Sequence, residues 1–160
     1  MDIIAEAESI EEEVVSFRRE FHQYPEVSGH EVMTTEYIRE HLEKWGISYR
    51  LMEPTGIIGV LGSGSSTTAL RADMDALEIR EETELSFQSQ NTGCMHACGH
   101  DGHTAVLLAA AKILKEHEDE LDHRIMLVFQ PAEETAQGAA DLLETGILNQ
   151  ADKIFWLHIF

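Results

Sequence analysis

Apolar residues recur at helical spacing at the start of the chain. Ile3, Ile10, Val14, Phe17 and Phe21 share a face, with acids between them, and predict a helix over 3–24 that Pro25 stops. Ser28 followed by Glu31 has the form of a capping box. It predicts a second helix carrying Tyr37, Ile38, Leu42 and Trp45 and ending at Gly46. The pattern then shortens. Strands are predicted over 47–52, 57–61 and 67–74, with a tight turn at Gly62–Ser66. Residues 76–93 are polar and irregular, with one short strand expected over 85–87. An apolar helix is predicted after His103, running to about Glu118. Arg124–Phe129 is continuously apolar after its first residue, as expected of a strand buried on both faces. A short helix near Gly138–Glu144 and a last strand over 154–160 complete the series.

Helices alternating with strands predict an α/β fold, three layers deep, with helices on both faces of a mixed or mostly parallel sheet. A chain of 160 residues is enough for one domain with a real core. No internal repeat or low-complexity linker divides it.

The net charge of −19 argues against nucleic acid or an anionic membrane as a partner, since both require a basic footprint. Much of the acid is local, in the first helix and at Glu78, Glu81, Glu82 and Glu84, and reads as solvated surface. The two cysteines, Cys94 and Cys98, do not make a disulfide framework. The first residues lack a basic and an apolar region of the signal-peptide kind, and no apolar run has the length of a membrane span. The expected location is the reducing cytoplasm, where neighbouring Cys and His more often mean metal or catalysis.

Such neighbours occur in Cys94-Met-His-Ala-Cys98-Gly-His100-Asp101-Gly-His103. Five soft or borderline donors and a carboxylate stand on a loop at a helix N-terminus, and thiolate with imidazole suits zinc and its neighbours. Three further clusters fall where predicted strands end: Asp73 with Asp75, Glu133 with Glu134, and His158. Ligand sites of open α/β sheets lie at the carboxyl ends of strands, so parallel neighbours would bring all of these to one rim. Hydrolysis assisted by a metal needs three or four protein ligands, an open position, and a carboxylate to move the proton. Glu133 and Glu134 could divide that labour, although adjacent residues on an extended backbone point to opposite sides.

Each residue also has a plainer reading. Asp73 and Asp75 suit a strand-end turn, Glu133 and Glu134 a helix first turn, His158 a core position, and Cys98 a small buried apolar one. A structural zinc site is a rival for the Cys94–His103 run. His22, His30, His41, His117 and His123 read as helix-surface residues. Co-occurrence carries the case.

Four ordered motifs carry a resemblance. They are Arg18-Arg-Glu-Phe-His22-Gln-Tyr-Pro25-Glu26, Leu70-Arg-Ala-Asp73-Met-Asp75-Ala-Leu77, Met95-His-Ala-Cys98-Gly-His100-Asp101-Gly-His103-Thr-Ala105, and Phe129-Gln-Pro-Ala-Glu133-Glu134. Together they resemble the M20 metallopeptidases, in particular the amidohydrolase branch that acts on N-acyl amino acids, hippurate and auxin conjugates. The resemblance implies a zinc-exopeptidase-like catalytic domain with two divalent metal ions, zinc or manganese with cobalt as a further option. The substrate it implies is a small N-acyl amino acid or short peptide. By motif position, Cys98, His100, Glu134 and His158 resemble metal ligands, Glu133 the general base that activates water, and Asp75 a residue that orients a ligand. Asp73, Asp101 and His103 lie within the motifs without an assigned role.

Three departures stand out. Glu78 replaces the family's usual proline, and Thr135-Ala-Gln-Gly138 replaces the glycines that usually follow the Glu pair. Family members are also much longer. Residues 1–160 are therefore expected to be the N-terminal part of the catalytic domain, without the lid or dimerisation domain and the C-terminal segment bearing a further metal-binding His. A homodimer is an expectation for the full-length enzyme only. The alternative is a catalytically inactive remnant that binds metal or a partner.

Overall fold

The computed structural model describes residues 2–159. Helices α1 (Ile3–Ser9), α2 (Glu11–Gln23) and α3 (Val32–Lys44) precede strands β1 (Ser48–Leu51), β2 (Ile57–Leu61) and β3 (Thr67–Asp73). Helix α4 (His100–Glu116), strand β4 (Arg124–Gln130), helix α5 (Gln137–Glu144) and strand β5 (Lys153–Trp156) follow. The sheet order is β1-β2-β4-β3-β5. β1, β2 and β4 are antiparallel neighbours, whereas β4, β3 and β5 run parallel. The sheet is therefore mixed, and the expected α/β architecture is present.

Burial explains the placement of the elements. β4 is central and every residue from Ile125 to Gln130 is buried, as its unbroken apolar run requires. On one face, Phe17 and Phe21 of α2, Ile38 and Leu42 of α3 and Leu107 and Leu108 of α4 join Ile57, Leu127 and Phe129 in one cluster. On the other face Leu142 of α5 packs with Ile58, Ala69, Met126 and Val128. The second layer is thinner, and Phe155 and Trp156 on the edge strand β5 stay exposed. Among the described residues no helix is long and apolar enough to cross a membrane.

Several boundaries differ from expectation. The first helix is two, because Ile10 leaves helical geometry at φ −111°, ψ 13°. The capping box does not form: Glu31 caps α3 without a side-chain hydrogen bond, and the Ser28 hydroxyl donates to Asp75 Oδ2 at 2.6 Å. α4 begins at His100 rather than after His103, so the donor run supplies its first turn. Residues 85–87 form no strand; Gln88 N–H closes a turn on the carbonyl of exposed Leu85. β3 ends at Asp73, and β5 ends at Trp156, so His158 follows the strand instead of lying in it. Phe160 lies outside the described residues.

Candidate metal centre

The three parallel strands finish together. Asp73 pairs with Gln130, Arg71 pairs with Trp156, and Met74 N–H donates to the Gln130 carbonyl. The segments that leave β3 and β4, the segment after β5 and the first turn of α4 therefore share one rim, where strand ends of an open sheet place ligands. Gly99 adopts φ +79° just before α4, a left-handed turn that separates Cys98 from buried His100.

His100 is held from behind. Its Nδ1 donates to the Asp75 carbonyl at 2.9 Å, with Asp75 Oδ1 3.3 Å away. That bond puts a proton on Nδ1, so the neutral ring presents the lone pair of Nε2. Nε2 is buried and has no hydrogen-bond partner. Glu133 Oε2 and Glu134 Oε1 each lie 3.9 Å from it. The two carboxylates converge because the backbone is not extended here: Ala132 takes φ +51° and residues 133–136 turn. The expectation that adjacent glutamates point apart is corrected by that turn.

Cys98, His100 and Glu134 offer donor atoms that all lie within 4.8 Å of one another. The electrostatics match that grouping. The Cys98 thiol is pushed up to about 11, first by its hydrogen bond with Glu134, then by burial and by the charges of Glu134, Glu133 and Asp75. Burial, and next the charge of Asp73, raise Glu133. Burial alone would raise Asp75 too, but bonds from His100, Ser28 and the backbone at Glu134 and Glu133 hold it at about 2. The rim therefore carries excess negative charge around an unpartnered imidazole nitrogen. A divalent cation reverses that penalty and favours the thiolate, so the residues fit a metal ion.

A second donor group, Asp73, His100 and His103, also lies within 4.8 Å. Asp73 Oδ1 already accepts from Arg71 Nη2 at 2.6 Å, and His103 Nε2 accepts from Ile159 N–H at 3.0 Å. His103 Nδ1 is buried without a partner. With Nδ1 engaged, His100 can serve one ion only, through Nε2. Exposed His158 belongs to neither group, but its ring centroid is 4.9 Å from that of His103 and 6.1 Å from that of His100.

His22 is not a surface residue. It is buried, with Nδ1 2.8 Å from Asp101 Oδ2 and Nε2 3.2 Å from Glu81 Oε1. The bond to Asp101 raises its pKa against the opposing effect of burial. Arg18 Nε donates to the same Asp101 oxygen at 3.2 Å. His96 is buried with both ring nitrogens unpartnered, and burial pushes it down to about 4, as for a neutral core histidine. In the sequence His22 reads as a surface residue and Glu31 as part of a capping box; both lie in the N-terminal third, away from the donor run.

The sequence model of the peptidase family M20/M25/M40 matches residues 69–160. The chain belongs to that family. Among relatives, it is 49% identical over 148 residues to an IAA-amino acid hydrolase, ILR1-like 4, of Arabidopsis thaliana, covering 91% of this chain and 34% of that one. It is 45% identical over 153 residues to the N-acetyl-L-cysteine deacetylase of Bacillus subtilis, covering 94% and 37%. Its structure resembles that of the Bacillus subtilis YXEP protein, described as a dinuclear metal binding peptidase of the M20 family. The TM-score is 0.90 at 41% identity, over 96% of this chain and 44% of that one. The chain thus spans little more than a third of the length of these curated relatives. The M20 match begins inside β3 and takes in Asp73, Asp75, the donor run, both glutamates and His158.

Proposed function

We propose that this chain carries the N-terminal part of the catalytic site of a metal-dependent amidohydrolase. Its substrates are small N-acyl amino acids or short peptides. The observation that carries the reading is His100 Nε2, buried and unpartnered, with donor atoms of Cys98 and Glu134 gathered beside it. The names of the relatives, an IAA-amino acid hydrolase and an N-acetyl-L-cysteine deacetylase, support an acylated amino acid as substrate. The dinuclear metal site named for the Bacillus subtilis neighbour supports two metal ions, and the thiolate, imidazole and carboxylate donors suit zinc or manganese.

In this reading Cys98, His100 and Glu134 would hold metal, and His158, on the segment after β5, would be a further ligand. Divalent metal there would polarise the amide carbonyl and acidify a water molecule. Asp75 fixes the His100 ring and, through its Oδ2, the Glu134 backbone at 3.0 Å. Glu133 stays 40% exposed on the open side of the rim, where a substrate can reach it. It takes the proton of the attacking water and returns it to the leaving amine. Its raised pKa suits both steps, since a base that must also act as an acid works best closer to the operating pH.

The test is hydrolysis of N-acetyl amino acids by the full-length protein. Activity should vanish with a chelator and return with zinc or manganese. No hydrolysis with zinc, manganese or cobalt would sink the reading.

A further inference from the structure

Glu31 is fully buried at the start of α3, yet it makes no side-chain bond to that helix. Its carboxylate reaches three other segments. Oε1 accepts from Gly29 N–H at 3.0 Å and from Ala132 N–H at 2.8 Å. Oε2 accepts from the Thr55 hydroxyl at 2.6 Å. A buried carboxylate is tolerated only when donors replace its water, and here backbone and hydroxyl groups do so.

The bond to Ala132 falls at a particular place. Ala132 holds φ +51°, a left-handed conformation that a residue with a Cβ adopts at a cost. The turn it makes brings Glu133 and Glu134 to the same distance from His100 Nε2. The loop that carries Glu31 grips the other side as well: Ser28 bonds Asp75 Oδ2, which in turn accepts the Glu134 N–H. Residues 28–31 thus hold the Glu pair from both ends, through Ala132 and through Asp75.

We infer that Glu31 is a positioning residue for the reaction, a buried clamp on Ala132 N–H that keeps the 131–134 turn aimed at His100. The inference rests on the amidohydrolase reading of the same site. Its replacement releases Ala132 from the strained conformation, and the two carboxylates no longer converge. A shift of about 1 Å at reacting groups costs on the order of 10²-fold in rate.

The experiment compares Glu31→Leu, Glu31→Asp and Glu31→Gln in the full-length protein. It reads kcat and KM on an N-acetyl amino acid, the visible spectrum of the cobalt-loaded protein, and the thermal midpoint. Gln keeps one oxygen for both N–H groups and can donate to Thr55, so it should preserve kcat and spectrum. Leu should lower kcat by about 10²-fold with little change in KM, and alter the cobalt bands as Glu134 moves. Asp keeps the charge but draws it back by one methylene from Ala132, so it should show a smaller loss of the same kind if Leu does not fold. A folded Leu or Asp variant with wild-type kcat and cobalt bands would overturn the clamp, even with a lowered thermal midpoint. A wild-type protein that takes up no cobalt would overturn the reading of the site, and the clamp with it.

Discussion

Two sets of carboxylates meet at the carboxyl end of the sheet, and their surroundings differ. Glu31 and Asp75 are buried and held: Glu31 takes three donors, Asp75 Oδ2 takes two, and Asp75 Oδ1 has no hydrogen bond but lies 3.3 Å from His100 Nδ1. Glu133 and Glu134 sit on the open side, 40% and 21% exposed, and Glu134 Oε1 has no hydrogen-bond partner. The first set spends its charge on backbone N–H and hydroxyl groups and so fixes shape. The second keeps acceptor capacity beside Cys98 and His100 Nε2, where a cation could use it. The same functional group is therefore tied to donors in one place and left with open acceptor capacity in the other.

That contrast can be broken first on the open side. Cys98→Ala should remove metal from one position, read by elemental analysis of the dialysed protein. Unchanged metal content would take Cys98 out of the ligand set. A smaller effect is expected behind His100 and Glu134. Asp75→Asn keeps the shape but weakens the hold on His100 and Glu134, and should lower metal affinity by about 10- to 100-fold in competition with a chelating dye. An affinity equal to wild type would make Asp75 a strand-end turn former and no more.

The smallest effect concerns the buried frame beyond the rim. His22 faces Asp101 of α4 and Glu81 of the 76–93 loop, with Arg18 on Asp101 and His96 nearby. Its pKa in the folded protein lies above 6.5, so the folded state holds its proton more tightly than the unfolded state. This contribution is complete below about pH 6.5 and is lost as pH rises through the folded value. Urea midpoints should therefore fall more steeply over that window for wild type than for His22→Gln. Equal slopes would place the proton elsewhere.

Much of this was legible in the residues. The unbroken apolar run of β4 announced a doubly buried strand, and strand-end positions of Asp73, Asp75 and the Glu pair announced a rim. The frame was not legible, because its partners are distant in sequence. Ser28 and Glu31 have the spacing of a capping box, but Asp75 lies 47 residues from Ser28 and Ala132 lies 101 from Glu31. Those tertiary partners outcompete the local cap. His22 was hidden for the same reason: its partner Asp101 is 79 residues away. The convergence of Glu133 and Glu134 depends on a positive φ at Ala132, which an alanine does not advertise.

The central claim is that Glu133 moves protons while its neighbours hold metal. The direct measurement is the turnover and metal content of Glu133→Gln in the full-length protein. The account predicts wild-type metal content with turnover reduced by about 10²- to 10⁴-fold. Turnover near wild type, or loss of metal along with activity, would contradict it.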